Sequence, residues 1–206
     1  MSGTNGRGDT DGPGNRTPGT AFRATRGPAT ATQALIAGQT VVQLSIAAAG
    51  GSRSGLAAAL APVSALLLVG SAVAFLVWFL ACRANAELLA PGSQRYTERL
   101  TTGGFFLPVL WWIPVRAALD IRNASGSSRG TALILWWWAA FVAKTAGSLA
   151  VDGTTTPGGG STPYDMVVGV LAAVAAILVI RLITADVEAA TVAGPGALPP
   201  AAFPAA

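Results

Sequence analysis

Apolar residues in this chain come in long blocks separated by short polar stretches. The blocks have the length of membrane-crossing helices rather than of strands or amphipathic surface helices. Four of them run over residues 31–50, 55–82, 131–151 and 166–184. At 1.5 Å per residue about 20 residues cover the ~30 Å hydrocarbon core of a bilayer, so each block predicts one span. The second is the most apolar, with Ala65-Leu66-Leu67-Leu68-Val69-Gly70 in its middle; Pro62 in its first third predicts a kink or the start of the regular helix. The turn Gly51-Ser52-Arg53-Ser54 is so short that the first two spans are expected to form an antiparallel hairpin.

The first block is interrupted by Gln33, Gln39, Gln43 and Ser45. Gln39 and Gln43 lie one turn apart on one face. Such a stripe is expected to turn toward neighbouring helices, either as hydrogen-bonding glue or as the lining of a solute path. Between the second and third spans a shorter apolar run, 103–119, is broken by Pro108 and Pro114. Two prolines remove helix hydrogen bonds that lipid cannot replace, so this run predicts an interfacial or re-entrant helical segment with Trp111 and Trp112 at headgroup depth. Residues 1–30 and 191–206 are rich in Gly, Pro, Thr or Ala and predict disordered tails. The expected fold class is therefore all-α: a polytopic membrane bundle of four transmembrane helices plus one interfacial or re-entrant segment.

Composition sharpens this picture. Of the 206 residues 52% are hydrophobic and only 11% charged, against about a quarter charged in a soluble domain. The chain carries a formal charge of +4, but its arginines sit between apolar blocks rather than in a patch interleaved with aromatics, so no nucleic-acid partner is expected. Four arginines precede the first span and six lie in the 83–130 loop, whereas the other loops carry Arg53 and none. The positive-inside rule then places both termini and the 83–130 loop in the cytoplasm, at the cell membrane. The first apolar block follows some thirty polar residues, unlike a cleavable signal. Arg7-Gly8-Asp9 and Asn15-Arg16-Thr17 spell an adhesion tripeptide and a glycosylation sequon, and on a cytoplasmic tail both are coincidences.

A single cysteine, Cys82, and no histidine exclude an intrachain disulfide, a Cys/His zinc site and a histidine-based triad. No phosphate-binding glycine motif or calcium-ligand cluster is present either. No catalytic, cofactor or metal site is expected, and the chain does not read as an enzyme. The candidate polar groups are of two kinds. Lys144 lies two-thirds along the third span, where a charge is costly; it either snorkels toward Asp152 or Asp165 or is a buried functional cation. In the loop, Arg83/Glu87 and Arg116/Asp120 are each one helical turn apart. With Asn85 and Arg122 they suggest an interfacial polar network able to contact a cytoplasmic protein or anionic lipid. Two function classes follow: a non-enzymatic scaffold or regulatory membrane partner working through the 83–130 loop, and a small transporter or channel component, oligomeric because four helices make a narrow pore, with Gln39, Gln43 and Lys144 along its path.

Four motifs occur in order: Arg83-Ala84-Asn85-Ala86-Glu87-Leu88-Leu89, Gly103-Gly104-Phe105-Phe106-Leu107-Pro108-Val109, Asp120-Ile121-Arg122-Asn123-Ala124-Ser125 and the Trp136–Trp138 run. Together they resemble an actinobacterial membrane family catalogued as domain of unknown function 4328, over roughly residues 35–190. The resemblance implies a multi-pass fold behind a Pro/Gly-rich tail and implies no activity.

Overall fold

The computed structural model describes residues 22–152 and 163–194, and every regular element among them is helical. Helix α1 (Arg26–Ala48) and helix α2 (Gly55–Leu89) are joined by one 3₁₀ turn, Gly51–Arg53. Ser54 begins α2 by accepting the Ala57 N–H on its side-chain oxygen at 3.2 Å, which satisfies one of the donors that a helix start leaves open. The helix then continues unbroken through Pro62. After α2 come the short helix α3 (Glu98–Gly103), a 3₁₀ turn at Pro108–Leu110 and helix α4 (Trp112–Ala124). Helices α5 (Thr131–Asp152) and α6 (Pro163–Ala193) complete the described chain.

α1 packs most extensively on α2, and α5 on α6, with α1 also lying along α6. The start of α1, the end of α2, the start of α5 and the end of α6 therefore meet at one end of the bundle, here called the base, together with α3 and α4. The buried core is concentrated there: Trp78, Phe79, Cys82 and Ala86 from α2, Ala117, Ala118 and Ile121 from α4, Ile134 from α5, and Val179, Ile180, Ile183 and Val187 from α6. The alanines of α4 let its backbone come close to the long helices. Rings fill the space beside them. Phe105, from the connection after α3, meets Phe75 and Phe79 edge-on at 5.5 and 5.6 Å and Trp138 at 5.9 Å. Trp137 lies 5.8 Å from Phe75, and Phe141 stacks on Trp138 at 5.0 Å. Edge-to-face and offset geometries of this kind are the favourable ones for aromatic pairs. The buried Trp78 N–H donates to Thr184 Oγ1 at 2.9 Å and ties α2 to α6.

Away from the base the burial falls off. α2 exposes Leu66, Val69, Val73 and Val77, and α6 exposes Val167, Leu171, Val174 and Leu178, each set spaced three or four residues apart along one helix face. These two helices are long and apolar enough to cross a membrane: mean hydropathy reaches 2.5 within Gly55–Leu89 and 2.8 within Met166–Ala193, and 22% of each such window is buried. α1 has 23 residues, enough length, but its glutamines dilute it; α5 has 22 residues, and its last five lie outside the residues whose side chains are described. Among the described residues, length and composition together thus qualify two helices as spans.

Helix ends differ from the apolar blocks. α1 begins at Arg26 rather than residue 31, α2 runs on from 82 to Leu89, and α6 from 184 to Ala193. Hydropathy marks where side chains are apolar, whereas a helix stops where its backbone hydrogen bonds stop. Of the tail expected over 1–30, residues 1–21 lie outside the described residues; Thr25 and Ala29 are buried against the bundle. The 191–206 tail likewise contributes its first residues to α6, and the rest lies outside. The 103–119 run is not one helix. Its first half is turns, and α4 starts only at Trp112, with Pro114 in the first turn where a missing N–H is tolerated. Gly104 allows the fold-back, since a Cβ there would stand 2.9 Å from Pro114 Cδ. The 13 residues of α4 give about 20 Å, short of a bilayer core.

Two glycine substitutions test this account with opposite signs. Gly130, between α4 and α5, has φ +76°, and a Cβ there would meet Leu182 Cδ2 at 2.1 Å. Gly130→Ala is expected to cost at least about 1–2 kcal/mol and to lower the thermal unfolding midpoint in detergent. Gly55, the first residue of α2, has open space around it, and Gly55→Ala is expected to gain up to about 1 kcal/mol.

Candidate functional site

The polar residues singled out by sequence fall into two places. At the base, Arg83 and Asn85 lie on the last turns of α2, not in a loop. Asn85 is 1% exposed and clamps the segment ahead of α1: its Oδ1 accepts the Arg23 N–H at 2.7 Å and its amide donates to the Arg23 carbonyl at 2.8 Å. Beside this clamp, Arg26 pairs with Glu188 of α6 at 2.7 Å and the buried Thr25 donates to the same carboxylate at 3.4 Å. The Arg83 guanidinium reaches over the chain that follows α2, donating to Gln94 Oε1 at 3.2 Å, to Thr101 Oγ1 at 3.4 Å and to the Tyr96 carbonyl. Glu87 accepts the Gly92 N–H at 2.8 Å and closes the turn after the helix.

Asp120, 4% exposed on α4, faces Arg95 of that same chain segment, with Arg95 Nε at 3.6 Å and the Arg95 N–H at 3.5 Å. Burial pushes its carboxyl above the ordinary range, opposed by the Arg95 hydrogen bond and by the charges of Arg95, Arg83 and Arg116. Arg116 is exposed. Arg122, 6% exposed, donates to the Arg129 carbonyl at 3.3 Å, to Asn123 Oδ1 at 2.9 Å and to Thr131 Oγ1, which fixes the α4–α5 connection. Burial lowers its guanidinium from the ordinary value, and Asp186 of α6 works against that shift. Arg122 Nε and Asp186 Oδ2 are both buried without a hydrogen-bond partner.

These six residues therefore do not form one network. Arg83, Asn85, Glu87, Asp120 and Arg122 each hold a different piece of irregular chain, whereas Arg116 is exposed. Of the six, Arg83 and Glu87 line a cleft of about 450 Å³, together with Arg23, Arg95, Tyr96 and Glu98. Arg23 and Arg95 carry no motif, and only the fold brings them to Arg83. Exposed Arg99, Arg116 and Arg129 stand elsewhere on the base.

Gln39, Gln43 and Lys144 do meet. They line a second cavity of about 450 Å³ between α1, α2, α5 and α6, on the far side of the aromatic layer from the base. Both amides donate to Ser64 Oγ of α2 at 3.1 Å, so the stripe on α1 ties α1 to α2 as its spacing suggests. Ser64 was not foreseeable from the pattern, since nothing in a run of aliphatics marks a hydroxyl as the shared acceptor. Lys144 is exposed, with its ammonium over Gly169 of α6. The side chains of Asp152 and Asp165, its expected snorkelling partners, lie outside the described residues.

Two expected outcomes follow. Asn85→Ala leaves the Arg23 N–H and carbonyl without partners, at about 1–3 kcal/mol. It should open the Arg23 and Arg26 bonds to trypsin at least tenfold faster than in the parent chain. Asp120, followed by carboxyl-carbon NMR, should titrate above the ordinary carboxylate value. Because its folded value is raised, the charged form is the costly one. Its contribution favours the fold at low pH and is lost as pH rises through the folded value. A midpoint below the ordinary value would contradict the burial described.

No curated protein and no solved structure matches the chain. The family model described as a domain of unknown function, DUF4328, matches residues 38–185. That stretch runs from the middle of α1 through the base to the last turns of α6 and includes both cavities' central residues. The chain belongs to the DUF4328 family.

Proposed function

We propose that this chain is a four-pass membrane protein with its base in the cytoplasm, and that it acts as a non-enzymatic scaffold or regulatory partner through the base cleft. The exposed apolar stripes of α2 and α6 support membrane embedding, since water would not tolerate them on so small a fold. α2 and α6 have 35 and 31 residues, about 52 and 46 Å, well beyond a ~30 Å core. The surplus accommodates the polar base outside the hydrocarbon. The arginines at the base agree with a cytoplasmic position, as does the sparse charge of the 51–54 turn.

The observation that carries the scaffold reading is the cleft itself. Asn85 and Asp120 hold the backbone of Arg23 and Arg95, and Arg83 donates to Gln94, so the cleft's arginines extend from anchored chain rather than from a loose loop. Exposed Arg23, Arg95, Arg99, Arg116 and Arg129 outnumber exposed Glu87 and Glu98. Such a surface favours an acidic protein segment. Nothing in it pairs a nucleophile with a base.

The second reading, a transporter or channel component, is favoured by the amide- and lysine-lined cavity between the helices. The aromatic layer below that cavity argues against an open conduit: Phe75, Trp78, Phe79, Phe105, Trp137 and Trp138 occupy the path to the base.

Purification from native membranes in mild detergent, with mass spectrometry and sizing, separates the two. A stoichiometric partner is expected, and Arg23→Glu with Arg95→Glu, both in the cleft, should reduce its recovery at least tenfold, about 1.4 kcal/mol. A homogeneous homo-oligomer without a partner would contradict the scaffold reading and favour transport.

A further inference from the structure

The apolar stripe of α2 does not end at its exposed valines. Val73 and Val77 are exposed; the half-buried Leu80 and Ala84 and the exposed Glu87 continue it at spacings of three and four residues, on the same helix face. Leu80, Ala84 and Glu87 line the base cleft. The side of α2 suited to lipid therefore runs straight into the cleft, and an apolar surface gives way to a polar one along a single face. From Leu66 to Val77 the stripe covers about 16 Å, close to half of a ~30 Å hydrocarbon core. Tyr96, from the chain that follows α2, lines the same cleft with a ring of the kind favoured at the membrane interface.

The cleft holds charges of both signs that do not pair with one another. Arg23, Arg83 and Arg95 line it with Glu87 and Glu98, yet among the described residues no ion pair joins these arginines to either glutamate. Arg83 is engaged by Gln94, Thr101 and the Tyr96 carbonyl, so it acts as wall. Arg23 differs: Asn85 clamps its backbone, while its exposed guanidinium bonds to no described residue. The half-exposed Arg95 side chain makes no hydrogen bond, its Nε standing 3.6 Å from Asp120, and its terminal N–H groups remain open. On the acidic side, Glu87 spends Oε1 on the Gly92 N–H and keeps its second oxygen, and the exposed Glu98 carboxylate bonds to no described residue. An occupant that uses the whole cleft needs an anion for the guanidinium groups and an N–H-bearing cation for the carboxylates.

We propose that the cleft seats the headgroup of one phospholipid that carries both a phosphate and a primary ammonium, the ethanolamine type, with its chains along Val73 and Val77. The phosphate would lie between Arg23 and Arg95, since guanidinium groups match phosphate oxygens in charge and geometry. The ammonium has three N–H donors for Glu87 and Glu98. A choline head has no N–H to give them, and a glycerol head has no cation. The inference rests on the membrane reading above and adds a regulator to the site given to the partner. Lipid and acidic segment draw on the same two guanidinium groups, so a bound lipid competes with the partner for the base.

The test is native mass spectrometry of the full chain, purified and stripped of lipid in mild detergent. Dioleoyl phosphatidylethanolamine, phosphatidylglycerol and phosphatidylcholine are added in turn. The first ethanolamine lipid should bind at least tenfold more tightly than either of the others. Arg23→Gln with Arg95→Gln should weaken it at least tenfold, and Glu98→Gln should bring it within threefold of the choline lipid. Glu98 is exposed, so its substitution keeps the test decisive if the arginine pair variant fails to fold. Equal binding of all three lipids, or the same preference in every variant, would overturn the proposal, because an unselective lipid coat would then account for it. So would competition by free phosphoethanolamine at matched concentration, which has the head without the chains. Binding of no lipid at all would contradict the membrane reading as well, whereas unselective binding leaves that reading and the partner role intact.

Discussion

The aromatic layer at the base is the constraint on which the rest of the fold depends. Phe105 enters from an irregular segment and is held edge-on by Phe75, Phe79 and Trp138, while Trp78 carries the one polar link in the layer, to Thr184. Helices in lipid gain little from burying apolar side chains against each other, because the surroundings are equally apolar; close packing and interhelical hydrogen bonds must supply the association. Large interlocking rings and a buried indole N–H supply both. Once α2, α5 and α6 are locked at this level, the chain beyond α2 has a fixed surface to fold onto, and Arg83, Asn85, Asp120 and Arg122 can fasten it.

The asymmetry that results has a functional consequence. The base holds most of the buried core and is polar on its outside, and the rest of the bundle buries less and holds a cavity. A protein that presents charges to a partner needs the first property. A protein that accommodates a small molecule between helices needs the second. Both are built by the same four long helices, and the layer of rings separates them.

Much of the helical bundle was legible in the sequence because apolar blocks of about 20 residues admit few other structures. The α1–α2 hairpin followed from a four-residue turn, and the shared face of Gln39 and Gln43 followed from helical periodicity. The helix ends were not legible: Arg83, Asn85 and Glu87 are polar, and polarity says nothing about whether the backbone ladder continues. In the 83–130 region spacing reaches less far. Spacing of one turn suggests the pairs Arg83/Glu87 and Arg116/Asp120, and each pair lies within electrostatic reach; the direct partners are Gln94, Thr101 and Tyr96 for Arg83 and Arg95 for Asp120. Contacts between residues 11 to 25 positions apart are set by how α4 docks, and no local pattern carries that. Phe105 could have been noticed, since it lies in the Gly103–Pro108 motif that marks the family resemblance.

The proposed topology puts the base in the cytoplasm and the 51–53 turn on the other side of the membrane. Single-cysteine accessibility tests it most directly. Cys82 is fully buried and can be replaced by Ala to give a blank background. Ser52 and Ser128, in the two connections at opposite ends of the bundle, each receive a cysteine in turn. In intact cells an impermeant maleimide should label Ser52→Cys, and it should label Ser128→Cys only after the membrane is opened. The reverse pattern would invert the topology, and equal labelling of both in intact cells would contradict a membrane-spanning bundle altogether.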